Sequence, residues 1–600
     1  MNVILKSKNK ASKILLLMVI FAIGIFFRFS GLNWDSGHHL HPDERFLNML
    51  INDMNFPVNW NEYFSPTLSP INPRNNSRDF YVYGNWPITF NKLINEIIDS
   101  NGLGEIAIVG RKLSAFVDSL TILLVFLITS QFQKKLKING KNLFSKKVSY
   151  WASLTYALFV LSIQQSHFFT TDTFLNLFCA SSFYFALKYL DNKKQDVSFF
   201  WLILGGIFMG WAIGSKITAV LFLPLILTII FIKNLRLKEL KISKTSIKIL
   251  INTILFLVVS YLSLRLVSPY MFSSANFFDP TIEPKLIENL KQLKTFEGDE
   301  VWYPPAIQWI NRPITFGITN LAVFGIGLGS FFFLITGLVV TTVFTRQWRL
   351  SSLKKFFSNS QQPTESDQFF VIFLFMVVWM ISIIFYYSFQ FVSSSRYFLP
   401  LYPYFALLIS FGIDKSLKNI GHNKIISFGI LISLFVWPLM FLNIYQNSHS
   451  RVSASQWIYQ NISPQSKILS EHWDDALPLH LQQYPQHYFP EQLPVFWIDN
   501  DQKWNEINTQ LDEAEYYILS SNRAWGSIQR VPEKYPQMSE FYKDLFAGKT
   551  QYQLVAKFSS YPGFEYLGLP ISFNDSWAEE AFTVYDHPEV YIFKNSRLEQ

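Results

Sequence analysis

The chain has 600 residues, half of them hydrophobic, 18% aromatic and 16% charged, with 60 phenylalanines and a formal net charge of +8. Its mean hydropathy of +0.18 is too apolar for a soluble globular protein and its charge too high for a chain lying wholly in a bilayer, so a polytopic membrane protein with a sizeable water-facing part is expected. The Lys and Arg excess falls mostly in short loops between apolar runs, which is topological information and argues against nucleic-acid binding; the single cysteine, Cys179, excludes an intramolecular disulfide.

Residues 1–13 are polar and basic, with Lys6, Lys8, Lys10 and Lys13, and an apolar run follows from Ile14 to Phe27. Arg28-Phe29-Ser30-Gly31-Leu32 comes next in place of a small-residue cleavage site, so this run is read as a retained first span with its N-terminus inside. About eleven spans are expected: 14–33, 106–131, 148–169, 173–190, 198–214, 217–233, 249–268, 317–344, 369–388, 398–413 and 425–443. Parity then makes 132–147, 191–197, 234–248, 345–368 and 414–424 inward loops, and these carry the lysines and arginines, among them Arg236, Lys238, Lys241, Arg346, Arg349, Lys354 and Lys355. The short outward loops carry only Lys216 and Arg396. Two outward segments are long. The first, 34–105, holds a predicted amphipathic helix around Ile88–Ile98; the second, 269–316, holds Trp302-Tyr303-Pro304-Pro305 and Trp309, aromatics suited to an interfacial loop that holds a lipid or a sugar ring.

Beyond Leu442 no run is long and apolar enough to span. Strand-like runs at Lys467–Leu469, Tyr516–Ser520, Gln553–Phe558 and Val590–Phe593, with helix-like stretches between them, predict a small α/β domain on the outer face. The expected fold is therefore mainly α: a polytopic membrane helix bundle over residues 1–443, followed by an extracytoplasmic α/β domain over 444–600. The lack of disulfides in an external domain points to a bacterial plasma (inner) membrane, with the site facing the periplasm or exterior.

His41-Pro42-Asp43-Glu44 lies just past the first span. Its adjacent carboxylates suit deprotonation of an acceptor hydroxyl or the holding of a divalent cation, with His41 as a further ligand or base; a solvated turn explains the tetrapeptide equally well. Asp172 sits where two spans join with almost no loop, at the outer edge of the bundle, and suits an N-cap that also orients a carboxylate; His167, in the same joint, also reads as an interfacial histidine. Lys216 and Arg396 break the basic-inside pattern, either by contacting lipid headgroups or by forming a phosphate pocket. Arg111 and Asp118 share a face of the second span two turns apart, as a buried structural pair or as functional groups. In the outer domain, Glu471-His472-Trp473-Asp474-Asp475 and Asp499-Asn500-Asp501 carry metal-ligand residue types but read chiefly as exposed turns. No P-loop, GxSxG, HExxH or CxxC motif occurs.

Residues 14–443 resemble the GT-C glycosyltransferases, especially the polyprenyl-phosphate-sugar-dependent group that includes protein O-mannosyltransferases and lipid A aminoarabinose transferases (glycosyltransferase family 39 and relatives). The resemblance rests on Arg28 through His41-Pro42-Asp43-Glu44, on Arg111-Lys112-Leu113-Ser114-Ala115, on His167 to Asp172, on Gly210-Trp211-Ala212-Ile213-Gly214-Ser215-Lys216, and on Arg396-Tyr397-Phe398-Leu399-Pro400-Leu401-Tyr402-Pro403. It implies a hexosyl- or pentosyltransferase that moves a sugar from a polyprenyl-phosphate donor to a hydroxyl on a glycan, lipid or protein. Asp43 would be the general base, with inversion at the anomeric carbon; Glu44 and Asp172 would assist, Lys216, Arg396 and Tyr397 would bind the donor phosphate, and His41, Arg111 and His167 would support them. No cofactor is required by this reading, and a divalent metal at Glu44 is left open. A polymerase or ligase of lipid-linked polysaccharide is the alternative within enzymes, and a lipid or sugar transporter the alternative outside them.

Overall fold

The computed structural model describes residues 2–100, 102–138, 140–235, 242–296, 303–357, 364–421 and 423–599. Arg236, Lys238, Lys241 and Trp302 lie outside the described residues, as do the side chains of Arg346, Arg349, Lys354 and Lys355. Among the described residues, eight helices are long and apolar enough to cross a membrane, and a ninth span arises when the bent pair Phe316–Gly325 and Leu328–Val343 is taken as one. The chain is a multi-pass membrane protein.

The difference from eleven expected spans has a local cause. The run 148–169 is broken at Leu158 and Phe159 into helices Val148–Ala157 and Val160–Ser166. The run 173–190 lies in helix Asp172–Asp191, which is buried along nearly its whole length and carries Asn176, Ser181 and Ser182 inward. A helix wrapped by other helices needs no lipid-matched surface, so hydropathy undercounts it. The bent pair turns by 114° at Gly327, whose φ of +80° is open to glycine at no steric cost.

Four helices position the site: α1 (Asn2–Phe29), α2 (Pro42–Asp53), α3 (Leu103–Lys135) and α4 (Asp172–Asp191). The expected interfacial helix is present as Trp86–Ile98, with Pro87, Ile88, Asn91 and Asn95 buried and Leu93, Ile97 and Ile98 exposed. Trp309 is buried and meets Phe316 edge-on at 5.8 Å, so it is a packing residue and not a surface one.

The later part of the chain forms a five-stranded mixed sheet of β1 (Ile468–Glu471), β2 (Glu491–Leu493), β3 (Tyr516–Leu519), β4 (Tyr552–Phe558) and β5 (Val590–Asn595), in the order β2-β1-β3-β5-β4. β1 pairs in parallel with β2 and β3, while β5 is antiparallel to β3 and β4. The edge strand β2 is only three residues long, Glu491-Gln492-Leu493, with no β-branched or aromatic residue, and hydrophobic patterning misses it. Between β4 and β5 the chain leaves the sheet and returns to the helices. There Gly563 N–H donates to the Met440 carbonyl, and Phe582 joins the main bundle core.

Candidate functional site

His41-Pro42-Asp43-Glu44 is the start of α2 and not a solvated turn. His41 is the N-cap, its Nδ1 accepting from the Glu44 N–H at 3.2 Å, and Pro42 fills the first helical position. The His41 ring is packed between Phe168 at 4.5 Å and Tyr585 at 4.2 Å. Burial lowers its pKa to about 4, so His41 is neutral near pH 7, as an accepting Nδ1 requires. Its observed work is capping and packing. Asp43 and Glu44, one residue apart, are turned to different partners by the helical rotation.

The Asp43 side chain is 28% exposed and accepts from Arg396 Nη1 at 2.7 Å. Burial works to raise its pKa, but Arg396, His41 and Lys216 outweigh that and hold the carboxyl at about 2. Asp172 opens α4 without capping it; its carboxylate instead accepts from Lys216 Nζ at 2.7 Å. Asp172, Lys216 and Arg396 line one cavity of about 290 Å³ with Tyr83, Tyr397 and an apolar wall of Leu221, Phe222, Leu290 and Ile383, and Asp43 is joined to it through its bond to Arg396. The Tyr397 ring lies 5.7 Å from Lys216 Nζ and 5.8 Å from the Arg396 guanidinium carbon. Tertiary contacts fix both cations. Gly84 donates its N–H to the Ser215 carbonyl at 3.1 Å, and a Cβ there would meet the Gly214 oxygen at 1.9 Å. The Arg396 loop is held by Glu579, which accepts from Ser394 Oγ at 3.0 Å, Ser395 N–H at 3.0 Å and Ser395 Oγ at 2.7 Å. Glu579 lies in the last third of the chain and carries no recognisable motif, so sequence reasoning missed it.

Below this cavity lies a fully buried polar layer. Arg111 on α3 bonds Asp35 at 2.9 and 2.7 Å, Glu44 at 2.6 Å and the Leu32 carbonyl at 2.9 Å, and its guanidinium carbon sits 4.7 Å over the Trp34 ring. Asp118 pairs with Arg28 at 2.7 Å and accepts from Tyr156 Oη at 2.5 Å. Arg111 and Asp118 are therefore members of separate clusters and not a pair. Asp35, a main partner of Arg111, was missed in the sequence; its position at the outer end of the first span was the available signal. Its carboxyl is held below the usual carboxylate range: burial opposes this, and the charge and hydrogen bonds of Arg111 prevail. His167 is not interfacial. It is fully buried, its ring nitrogens lie 2.8 Å from the Ile163 and Ser30 carbonyls, and its ring stacks on Tyr445 at 3.7 Å.

Glu44 does not fit a divalent cation. Both its oxygens are engaged by the Arg111 guanidinium, and one also accepts from the Phe169 N–H at 2.8 Å. Among the described residues no group of three or more His, Cys, Asp and Glu could hold a metal. The two acidic motifs of the C-terminal region are equally occupied. Asp474 and Asp475 bind Arg451 at 2.6 and 2.9 Å. Glu471 accepts from Tyr517 at 2.6 Å and Tyr542 at 2.5 Å, Asp499 binds Lys503 at 2.7 Å, and Asn500 caps the helix Asp501–Glu513.

An oligosaccharyltransferase of Archaeoglobus fulgidus, AglB in complex with an inhibitory peptide and a dolichol-phosphate, superposes over 98% of this chain and 89% of its own, with a TM-score of 0.51 at 12% identity. The structure of the Archaeoglobus fulgidus enzyme with Zn and sulfate matches over 97% and 88%, with a TM-score of 0.50 at 13% identity. The chain has the GT-C fold. The family described as dolichyl-phosphate-mannose-protein mannosyltransferase matches residues 136–263, the part of the GT-C bundle that carries Asp172 and Lys216. ArnT from Cupriavidus metallidurans aligns over 98% of this chain and 99% of its own, with a TM-score of 0.42 at 10% identity. No curated protein sequence matches the chain.

Proposed function

We propose that this protein transfers a sugar from a polyprenyl-phosphate donor to a hydroxyl acceptor, with Asp43 as general base and with inversion at the anomeric carbon. The observation that carries this reading is one cavity in which two cations, Lys216 and Arg396, and the Asp172 carboxylate meet beside an apolar wall, with Asp43 bonded to Arg396. A lipid phosphate needs that combination: fixed positive charge for its oxygens and a greasy surface for its chain. Support comes from the dolichol-phosphate bound by AglB and from the description of the family matched at 136–263.

In the reaction, Asp43 takes the proton of the acceptor hydroxyl as its oxygen attacks the anomeric carbon. The bond from that carbon to the phosphate oxygen breaks on the opposite face, and polyprenyl phosphate leaves with the electron pair, its new charge held by Lys216 and Arg396. A donor phosphate competes for Arg396, which relaxes its hold on Asp43 and raises the basicity of that carboxylate from its low resting value. Asp172 orients Lys216, and Tyr397 packs beside both cations. The site and the sheet lie on the non-cytoplasmic side of a bacterial inner membrane, where nucleotide sugars are absent and an activated sugar arrives on a lipid. The test is release of polyprenyl phosphate from a labelled polyprenyl-phosphate sugar by the purified full chain. Asp43→Asn abolishes release while the protein stays inserted and folded; full activity in that variant removes Asp43 from the mechanism.

A further inference from the structure

A second cavity, about 140 Å³, lies between the start of α2 and the sheet, and its lining includes Pro42, Arg45, Arg451, Trp473, Arg523 and Tyr585. Pro42 and Arg45 flank Asp43 on the first turn of α2, and Arg396, which lines the donor cavity, is bonded to Asp43. Asp43 thus stands between the two cavities. Its charge also reaches the far side, where it helps raise the Tyr585 phenol, though burial is the larger cause.

Each cation of the lining is already paired. Arg451 pairs with Asp474 at 2.6 Å and Asp475 at 2.9 Å, Arg45 with Asp475 at 3.1 Å, and Arg523 with Glu580 at 2.8 Å. The three guanidiniums are matched by Asp474 and Asp475 in the lining and by Glu580 outside it, so each already has a carboxylate partner and none is left over for a phosphate. Side-by-side donors and acceptors of this kind suit hydroxyl groups, each of which donates one hydrogen bond and accepts others. The apolar face comes from two rings. Tyr585 is packed on His41 at 4.2 Å. Trp473 is 48% exposed and stands edge-on to Tyr303 at 5.5 Å. The Trp473 backbone sits at φ +71°, a left-handed conformation costly for a bulky residue. Arg523, donating to the Trp473 carbonyl at 2.6 Å, helps hold it there.

We infer that this second cavity is an acceptor subsite for an uncharged hexopyranose ring, presented by a glycan or glycolipid, with Trp473 as its stacking surface. The inference rests on the proposed transfer reaction only for the use made of the bound ring; binding itself needs no donor. At about 140 Å³ the cavity is about half the size of the donor cavity, and a single ring is the occupant assigned to it. It also gives the sheet a purpose, since Arg451, Trp473, Asp474, Asp475 and Arg523 all lie beyond the helix bundle in sequence.

The test is saturation-transfer-difference NMR with methyl hexopyranosides on the full chain in nanodiscs, with no donor present. Saturation transfer to the sugar is expected for the wild type. Trp473→Ala weakens the apparent affinity about tenfold, the loss expected for a buried aromatic face, whereas Trp497→Ala, at another exposed tryptophan of the same region, leaves it unchanged. Inorganic phosphate does not compete. Absence of saturation transfer in the wild type, an apparent affinity unchanged in Trp473→Ala, or displacement of the sugar by phosphate or by a serine- and threonine-containing peptide would each overturn the assignment. Because no turnover is read, these outcomes stay distinct from that of Asp43→Asn, which decides the transfer reaction separately.

Discussion

Two sets of ion pairs lie a few residues apart in this protein and do different work. The deeper set, Arg111 with Asp35 and Glu44 and Arg28 with Asp118, is almost wholly shielded, its side chains at 0–1% exposure. Its members saturate one another: the Arg111 guanidinium alone reaches two carboxylates and a carbonyl. In the shallower set, Arg396 with Asp43 and Lys216 with Asp172, both cations and Asp172 line a cavity; Arg396 and Asp43 are each 28% exposed, and among the described residues each cation pairs with one carboxylate. Saturated and sealed charges hold elements in place, because breaking them strands a charge in a low dielectric. Singly paired charges on a cavity wall can exchange partners with a ligand. Adjacent residues such as Asp43 and Glu44 therefore fall on opposite sides of the divide.

The comparison is broken most sharply at Asp43. Asp43→Asn is expected to lower transfer by about 10²–10⁴-fold, the usual worth of a general base, with a smaller loss of thermal stability than Arg111→Ala; a fall in melting temperature comparable to that of an Arg111 variant would place Asp43 in the structural set. Arg111→Ala should show the reverse weighting. It leaves Asp35 and Glu44 buried without their counter-charge, at a cost of about 3–5 kcal/mol, read as lost yield or a lower unfolding midpoint in detergent. Lys216→Ala removes one charged contact to the donor phosphate, worth about 1.5–3 kcal/mol. It should raise the donor KM by about 10–100-fold, with a fall in melting temperature smaller than that of Arg111→Ala.

Two smaller effects test the C-terminal region. His587 is buried between Asp575 at 2.9 Å and Asp586 at 2.5 Å. Burial lowers its pKa, but the two carboxylates prevail and raise it from 6.5 to about 10. A folded value above the unfolded one means that the stability it contributes is complete below about pH 6.5 and is lost as the pH rises through about 10. Thermal melts from pH 6.5 to 10 should therefore fall more steeply in the wild type than in Asp575→Asn. Asn500→Ala, which removes the cap accepted from the Lys503 N–H at 2.9 Å, should cost about 1 kcal/mol and leave donor turnover unchanged.

The shallow set was the legible one. Asp43, Asp172, Lys216 and Arg396 stood out because each is an ionisable residue at the mouth of an apolar run, and hydropathy parity put all four mouths on one side. Glu44, Arg111, His41 and His167 were harder, since residue type does not say whether a group is sealed or open. Arg111 and Asp118 share a helix face, yet two turns of rise part them by about 10 Å, and each found a partner from another segment. Glu579 and Trp473 were out of reach of patterning altogether: the first buttresses a loop almost two hundred positions earlier, the second borders a cavity whose other wall is α2.

From the sequence by itself came the multi-pass character and the sheet-bearing C-terminal region, because burial of apolar length and alternation along strands are local, repetitive signals. Which carboxylate meets which cation was decided only when distant segments packed. An ion pair requires atoms within about 4 Å, and that proximity is set by how helices and sheet dock, which local patterning along the chain does not encode.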